Sequence, residues 1–442
     1  MSRPYPPPTQ SPLSPPPRLL GGAPLFRLFL GLTLGALIGL VGNALAGEGA
    51  PGPIPPYQLL AQHRPDFRAL AALGEALFMD PGLSASGRLA CATCHSPGRA
   101  FGPDNARATQ IGGPAMDQVG GRAAPSLRYL QTLPPFSEHF FDNDGRDSED
   151  QGPTGGFTWD GRAPSLHDQA AIPLFAPNEM ANPDVPTLAA KLRQGPHRLA
   201  LVRLFGPEVE ARPDTLVQAS LLALEAFQQQ PDRFYPYSSK YDAYLRGQAK
   251  LSRREARGLA VFEDPRRGNC AACHPSRPTA DGAFPAFTDF GYQALGLPRN
   301  AQLPQNRDPT FFDLGLCGPA RQDLKDHAEY CGLFRVPSLR NVALRRVFFH
   351  NGVIHSLADA LRFYGERDGA PQRWYPRRPD GTVERYNDLP PAYRTNVSQE
   401  APFGGRPGER PRLSHRDLQD LEAFLRTLTD GYRPAAPRRS AR

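Results

Sequence analysis

A mainly α fold, built twice on one plan, is predicted by three features of this 442-residue sequence. The pentad Cys91-Ala-Thr-Cys94-His95 recurs as Cys270-Ala-Ala-Cys273-His274. Apolar residues at helical spacing precede each pentad and a long Pro-rich stretch follows it. A further amphipathic helix closes the chain. With six Cys and ten His in all, two such pentads are improbable by chance. Chemistry accounts for the spacing: two thiols add across the vinyl groups of a haem, and the adjacent His turns under the ring to ligate the iron. Cys91, Cys94 and His95 therefore read as the attachment site of one covalently bound haem c, and Cys270, Cys273 and His274 as that of a second. The alternatives explain less. A zinc knuckle needs its four ligands in one tetrahedron, and a thioredoxin-type thiol pair has no use for a His directly after each second Cys.

In chain order, residues 2–17 are low-complexity and rich in Pro and Ser. Arg18 and Arg27 precede an apolar run, Leu28 to Val41, that ends in Ala44-Leu45-Ala46. This reads as a secretory signal over residues 1–46 with an A-x-A cleavage site, an uncleaved membrane anchor being the alternative. Export to the periplasm follows. Phe67, Leu70, Leu73, Leu77 and Phe78 predict a helix before the first pentad, and Leu216 to Phe227 predict another. Pro-Tyr-Ser-Ser after Gln230 reads as a linker. Leu259, Val261 and Phe262, with Ser252 as cap, predict the helix before the second pentad. Ser414 and Asp417 open a last helix to Leu428, with Leu418, Leu421, Phe424 and Leu425 on one face.

Helix, haem pentad, loop and closing helix is the plan of a cytochrome c. The chain thus divides into a haem domain at 47–235, a second at 236–433, and a basic tail at 434–442. Fifty-one Pro and 42 Gly imply long irregular loops. Cys317 and Cys331, outside the pentads and facing an oxidising compartment, predict a structural disulfide, with a pair of buried free thiols as the alternative. The formal charge of +7 falls to +4 without residues 1–46, which carry three Arg and no acid, and four haem propionates bring it near neutral. Nothing here argues for nucleic acid as a partner.

Two longer motifs carry a family resemblance. Phe157-Thr-Trp159-Asp-Gly-Arg162-Ala-Pro-Ser-Leu-His-Asp-Gln169-Ala-Ala-Ile-Pro173 with Asn178-Glu179-Met180 is one, and Val336-Pro-Ser-Leu-Arg340-Asn341 leading to Phe349-His350-Asn351-Gly352 is the other. From about Leu70 to Gly431 the chain resembles the bacterial di-haem cytochrome c peroxidase and MauG family. The resemblance implies a peroxide-reacting first haem and a second haem that receives or stores an electron equivalent. Trp159 falls between the haems as a relay, and Gln169 and Glu179 fall on the open face of the first. A carboxylate such as Glu179 can move a proton between the two oxygens of a peroxide, and Gln169 offers an amide donor there. Read without the motif, an Asn-Glu pair after Pro can cap a helix, and a Trp in an apolar run packs. A homodimer is usual for the family.

The four Met stand at 1, 79, 116 and 180, so none follows the second pentad to serve as sixth iron ligand. Counting from His350, the family's ligand position falls on Tyr364, as in the MauG branch; His350 and His355 are the rivals. Phenolate would lower that iron's potential. No His lies between His95 and His139, so the first iron is expected open or water-bound, unless Met116 fills the site or His139 reaches back. The family's calcium site, an Asn side chain with two carbonyls, has Ala123 at the Asn position and Arg345-Arg346 beside the carbonyls, which makes calcium doubtful. Gly268-Asn269 stand where MauG carries a Trp before its second pentad, leaving Trp374 and the Tyr residues as exit routes. The expected activity is peroxide reduction coupled to oxidation of a small cytochrome, a cupredoxin or a protein side chain. A non-enzymatic di-haem electron-transfer cytochrome is the alternative.

Overall fold

The computed structural model of the chain describes residues 55–141 and 149–433. The proposed leader and the basic tail lie outside the described residues. In the first half the helices are α1 (Pro56–His63), α2 (Phe67–Met79), α3 (Cys91–Cys94), α4 (Leu166–Phe175), α5 (Val185–Gln194), α6 (Arg198–Phe205), α7 (Pro213–Gln228) and α8 (Pro231–Phe234). The second half has α9 (Lys240–Leu245), α10 (Arg253–Glu263), α11 (Leu357–Glu366) and α12 (His415–Arg426). Short 3-10 turns lie between these helices, together with two antiparallel strand pairs: β1 (Ile111–Gly112) with β2 (Gln118–Val119), and β3 (Tyr292–Gln293) with β4 (Phe334–Arg335). No helix among the described residues is long and apolar enough to cross a membrane.

Local chemistry starts the helices where the sequence reading put them. The Ser252 and Ser414 hydroxyls accept from the backbone N–H of Glu255 and Asp417, whose carboxylates accept from the capping N–H in return, closing two capping boxes. The apolar faces then bury. Leu70, Leu73, Leu77 and Phe78 of α2 are buried, whereas Phe67, at the helix start, stays 48% exposed.

The duplicated plan is visible in the packing. One core joins apolar residues from Leu59 to Phe234, and another joins residues from Tyr241 to Leu428. In the first, α2 crosses α7 where a Cβ on Gly74 would overlap the Ala223 carbonyl and lie 2.8 Å from Phe227 Cβ. In the second, α10 crosses α12 where a Cβ on Gly258 would overlap the Asp420 carbonyl and lie 2.8 Å from Phe424 Cβ. Aromatic triads repeat as well. Phe78, Phe101 and Phe227 have ring centroids 5.3–6.1 Å apart, and Phe262, Phe287 and Phe424 have theirs 5.2–6.3 Å apart.

The segment after Gln230 is more than a linker. Tyr237 N–H donates to the Tyr129 hydroxyl, and Ser239 caps α9. Arg340 lies over the rings of Tyr129 and Tyr237 while pairing with the fully buried Asp242. Cys317 and Cys331 form the expected disulfide.

Candidate haem sites and the wall between them

Each pentad turns back on itself through a backbone hydrogen bond, His95 N–H to Cys91 O at 2.9 Å and His274 N–H to Cys270 O at 2.8 Å. The imidazoles are then aimed from behind. His95 Nδ1 lies 3.0 Å from the Phe101 carbonyl oxygen and His274 Nδ1 lies 2.8 Å from that of Phe287. A carbonyl can only accept, so Nδ1 carries the proton in both rings and Nε2 is left as the ligating atom. Both phenylalanines hold the left-handed backbone, φ 55° and 56°, that turns their carbonyls toward the rings. Burial lowers the proton affinity of both imidazoles, to about 4 for His274, and keeps them neutral as iron ligation requires.

The pentads line two separate cavities of about 400 and 230 Å³, so their ligands do not meet in one tetrahedron as zinc would need. The first holds Cys91, Cys94 and His95, and the second holds Cys270, Cys273 and His274. None of these four cysteines is disulfide-bonded, and burial pushes each thiol up to about 12. Thiols, a back-bonded imidazole and a mostly apolar lining in each cavity fit a covalently held haem.

Gln169 and Glu179 both line the first cavity. Gln169 sits on α4, where Pro173 four residues on has no N–H to give its carbonyl. Glu179 does not cap a helix; it lies in the turn after α4 and is held through its backbone, its carbonyl accepting from Gly113 N–H at 2.8 Å. A side chain on Gly112 would come within 2.7 Å of the Glu179 Cα, which is why the strand can approach so closely. Glu179 is solvent-accessible where it lines the cavity, yet desolvation of its carboxyl by the surrounding protein raises its proton affinity above the ordinary range against the lowering effect of Arg162.

Trp159 lines both cavities. Its indole Nε1 donates to Ala123 O at 2.8 Å, a contact with the first half. Its own carbonyl accepts from Arg335 N–H at 2.8 Å, a contact with the second. Asp160 pins the turn by accepting from Thr158, Arg122 and Arg162, and Arg122 spans onward to Asp313 with two bonds of 2.6 and 2.7 Å.

The ligand candidates stand in different surroundings, although the buried His350 Nε2 has no hydrogen-bond partner. Tyr364, on α11, lines the second cavity with His274, and burial raises its phenol. His350 also lines that cavity but is stacked on Phe334, ring centroids 3.4 Å apart, with Nε2 3.5 Å from Asp388. His355 is exposed. In the first cavity neither alternative reaches the lining: His139 is exposed and pairs with Asp150 at 2.6 Å, and Met116 packs against the first core instead. At the calcium position, the Ala123 carbonyl is taken by Trp159 and the Ala124 carbonyl by Arg345 Nη2 at 3.2 Å. Sequence reasoning missed Arg335 and Asp313, which line both cavities, and Gln305 and Phe311, which reach the first cavity from the second half. No local pattern marks them.

Two cavities, each with a thiol pair and a back-bonded imidazole and both lined by one Trp, are what a di-haem c-type oxidoreductase requires. Residues 68–250 match the family described as di-haem cytochrome c peroxidase. The chain is 36% identical over 395 residues to the methylamine utilization protein MauG of Paracoccus denitrificans, covering 85% of this chain and 92% of that one. It is 27% identical to the cytochrome c551 peroxidase of Nitrosomonas europaea, covering 76% and 82%. Its fold superposes on the di-haem peroxidase BthA of Burkholderia thailandensis with a TM-score of 0.73 at 40% identity, covering 83% and 87%. The chain belongs to the di-haem cytochrome c peroxidase and MauG family, and it is an oxidoreductase with two c-type haems.

Proposed function

We propose that this is a periplasmic peroxide-consuming oxidase in which residues 47–235 house the peroxide-reacting site and residues 236–433 the electron-transfer site. The bound haems supply O–O bond cleavage in the first cavity and storage of an oxidising equivalent in the second. Glu179 takes the proton from one peroxide oxygen and delivers it to the other, and Gln169 orients the substrate by its amide. Trp159 passes oxidising equivalents across the wall, and Tyr364 is the second protein ligand in the second cavity. Each hydrogen peroxide consumes two electrons and two protons and leaves two waters. The electrons come from a small cytochrome, a cupredoxin or an oxidisable side chain of a partner protein. Arg345 stands in for calcium by holding the Ala124 carbonyl with a fixed positive charge; stoichiometric calcium in the purified protein would overturn this substitution.

One observation carries the reading: Gln169 and Glu179 share the His95 cavity, and Trp159 forms the wall common to both cavities. The test is one equivalent of hydrogen peroxide added to the ferric protein, followed optically on the millisecond scale. A rapid two-electron change without added reductant is expected. Silence until one haem is reduced would mean an ordinary peroxidase that needs activation.

A further inference from the structure

Five arginines in the cavity linings have acidic partners. Arg99 pairs with Asp104, Arg122 with Asp160 and Asp313, Arg128 with Asp430, Arg162 with Asp160, and Arg340 with Asp242. Arg335 differs. It is 7% exposed, it lines both cavities, and it forms no ion pair among the described residues. Nε donates to Thr158 O at 3.0 Å, but Nη1 is buried with no hydrogen-bond partner. Asp160, in the same turn as the Thr158 acceptor, is already engaged by Arg122, Arg162 and Thr158, and Asp313, which lines both cavities, by Arg122. A buried guanidinium with an orphaned N–H is costly unless an anion completes it. Its planar fork suits a carboxylate, which it can grip with two parallel bonds.

We propose that Arg335 is the propionate anchor at the junction of the two haem sites, pairing with a haem carboxylate where the cavities meet. The position is fixed from both directions. Arg335 lies in β4, paired with Tyr292, and its N–H holds the Trp159 carbonyl, so the anchor and the bridging indole share one backbone hydrogen bond. Anchoring a propionate there would tie the charge of a haem site to the wall between the sites. The inference rests on both cavities being haem sites, and not on peroxide turnover. Its failure is therefore distinguishable from failure of the proposed activity, because every readout is taken on the resting enzyme.

The experiment compares the purified holoprotein with Arg335→Gln and Arg335→Lys by spectroelectrochemical titration and by resonance Raman of the propionate bending modes. Removing the cation leaves the ferric form less opposed. At least one midpoint potential should therefore fall in Arg335→Gln, by about 59 mV for a tenfold shift in a one-electron equilibrium, and a propionate mode should move. Arg335→Lys should restore the potential while the mode stays altered, because the fork is lost and the charge kept. Unmoved propionate modes in both variants would overturn the proposal, including the case where the potential falls through distant charge or a small bound anion alone. Should Arg335→Gln fail to mature, the propionate mode of Arg335→Lys decides by itself: a shift supports the anchor and no shift removes it.

Discussion

Glu179 shows how its surroundings change the chemistry of a side chain. A carboxylate that shuttles a proton must begin deprotonated, and burial raises the pKa of Glu179 above its ordinary value. The peroxide reaction should therefore slow as pH falls through a value higher than that of a free glutamate. Glu179→Gln should cost roughly 10²-fold or more in the second-order rate and abolish this acid limb; stopped-flow traces across pH read both. A limb that persists in Glu179→Gln belongs to another group. The identity of Glu179 was legible from the motif around Asn178-Glu179-Met180. Its elevated proton affinity was not, because the walls that desolvate it come from residues distant in sequence.

At the scale of elements, the two halves repeat one crossing of helices. Gly74 lets α2 touch the Ala223 carbonyl, and Gly258 lets α10 touch that of Asp420. The requirement is close approach, since neither glycine has a positive φ. Gly74→Ala and Gly258→Ala should each destabilise the protein by roughly 1–3 kcal/mol through overpacking, seen as a lower denaturant midpoint with an unchanged slope. A stability equal to wild type would show that the helices slide apart freely. Helix existence and caps were readable because Ser252, Ser414 and the apolar spacing are local signals. The crossing was not, since a glycine inside a helical pattern says nothing about which carbonyl it meets.

Over the whole molecule, charge holds the wall in register. Arg122 pairs with Asp160 and also with Asp313, 191 residues further along the chain, and Asp430 near the end of the chain accepts from Arg128 and Tyr129. Burial alone would raise the pKa of Asp160, but Arg122 and Arg162 outweigh it and hold the carboxyl at about 2. Because the folded pKa lies below the unfolded value of 3.8, this stabilisation is fully present above pH 3.8 and is lost as pH falls through about 2. The difference amounts to about 2 kcal/mol. Asp160→Asn should lower stability near neutrality and flatten its dependence between these pH values, which denaturant titrations at a series of pH values measure. A dependence as steep as wild type would assign the acid sensitivity elsewhere.

What the sequence determined by itself was whatever chemistry is written in contiguous residues. The pentads named the cofactor, the serine caps and apolar spacing placed the principal helices, the long motifs named the family, and Cys317 and Cys331 found each other. The tertiary structure decided which side chains share a space. It placed Trp159, Asp313 and Arg335 on a wall common to two cavities, brought Gln305 and Phe311 from the second half to the first cavity, and kept His139 and His355 at the surface. The reason is physical. Covalent attachment and capping act within a few residues, whereas desolvation, ion pairing and cavity walls depend on packing between segments whose separation along the chain carries no periodic signal.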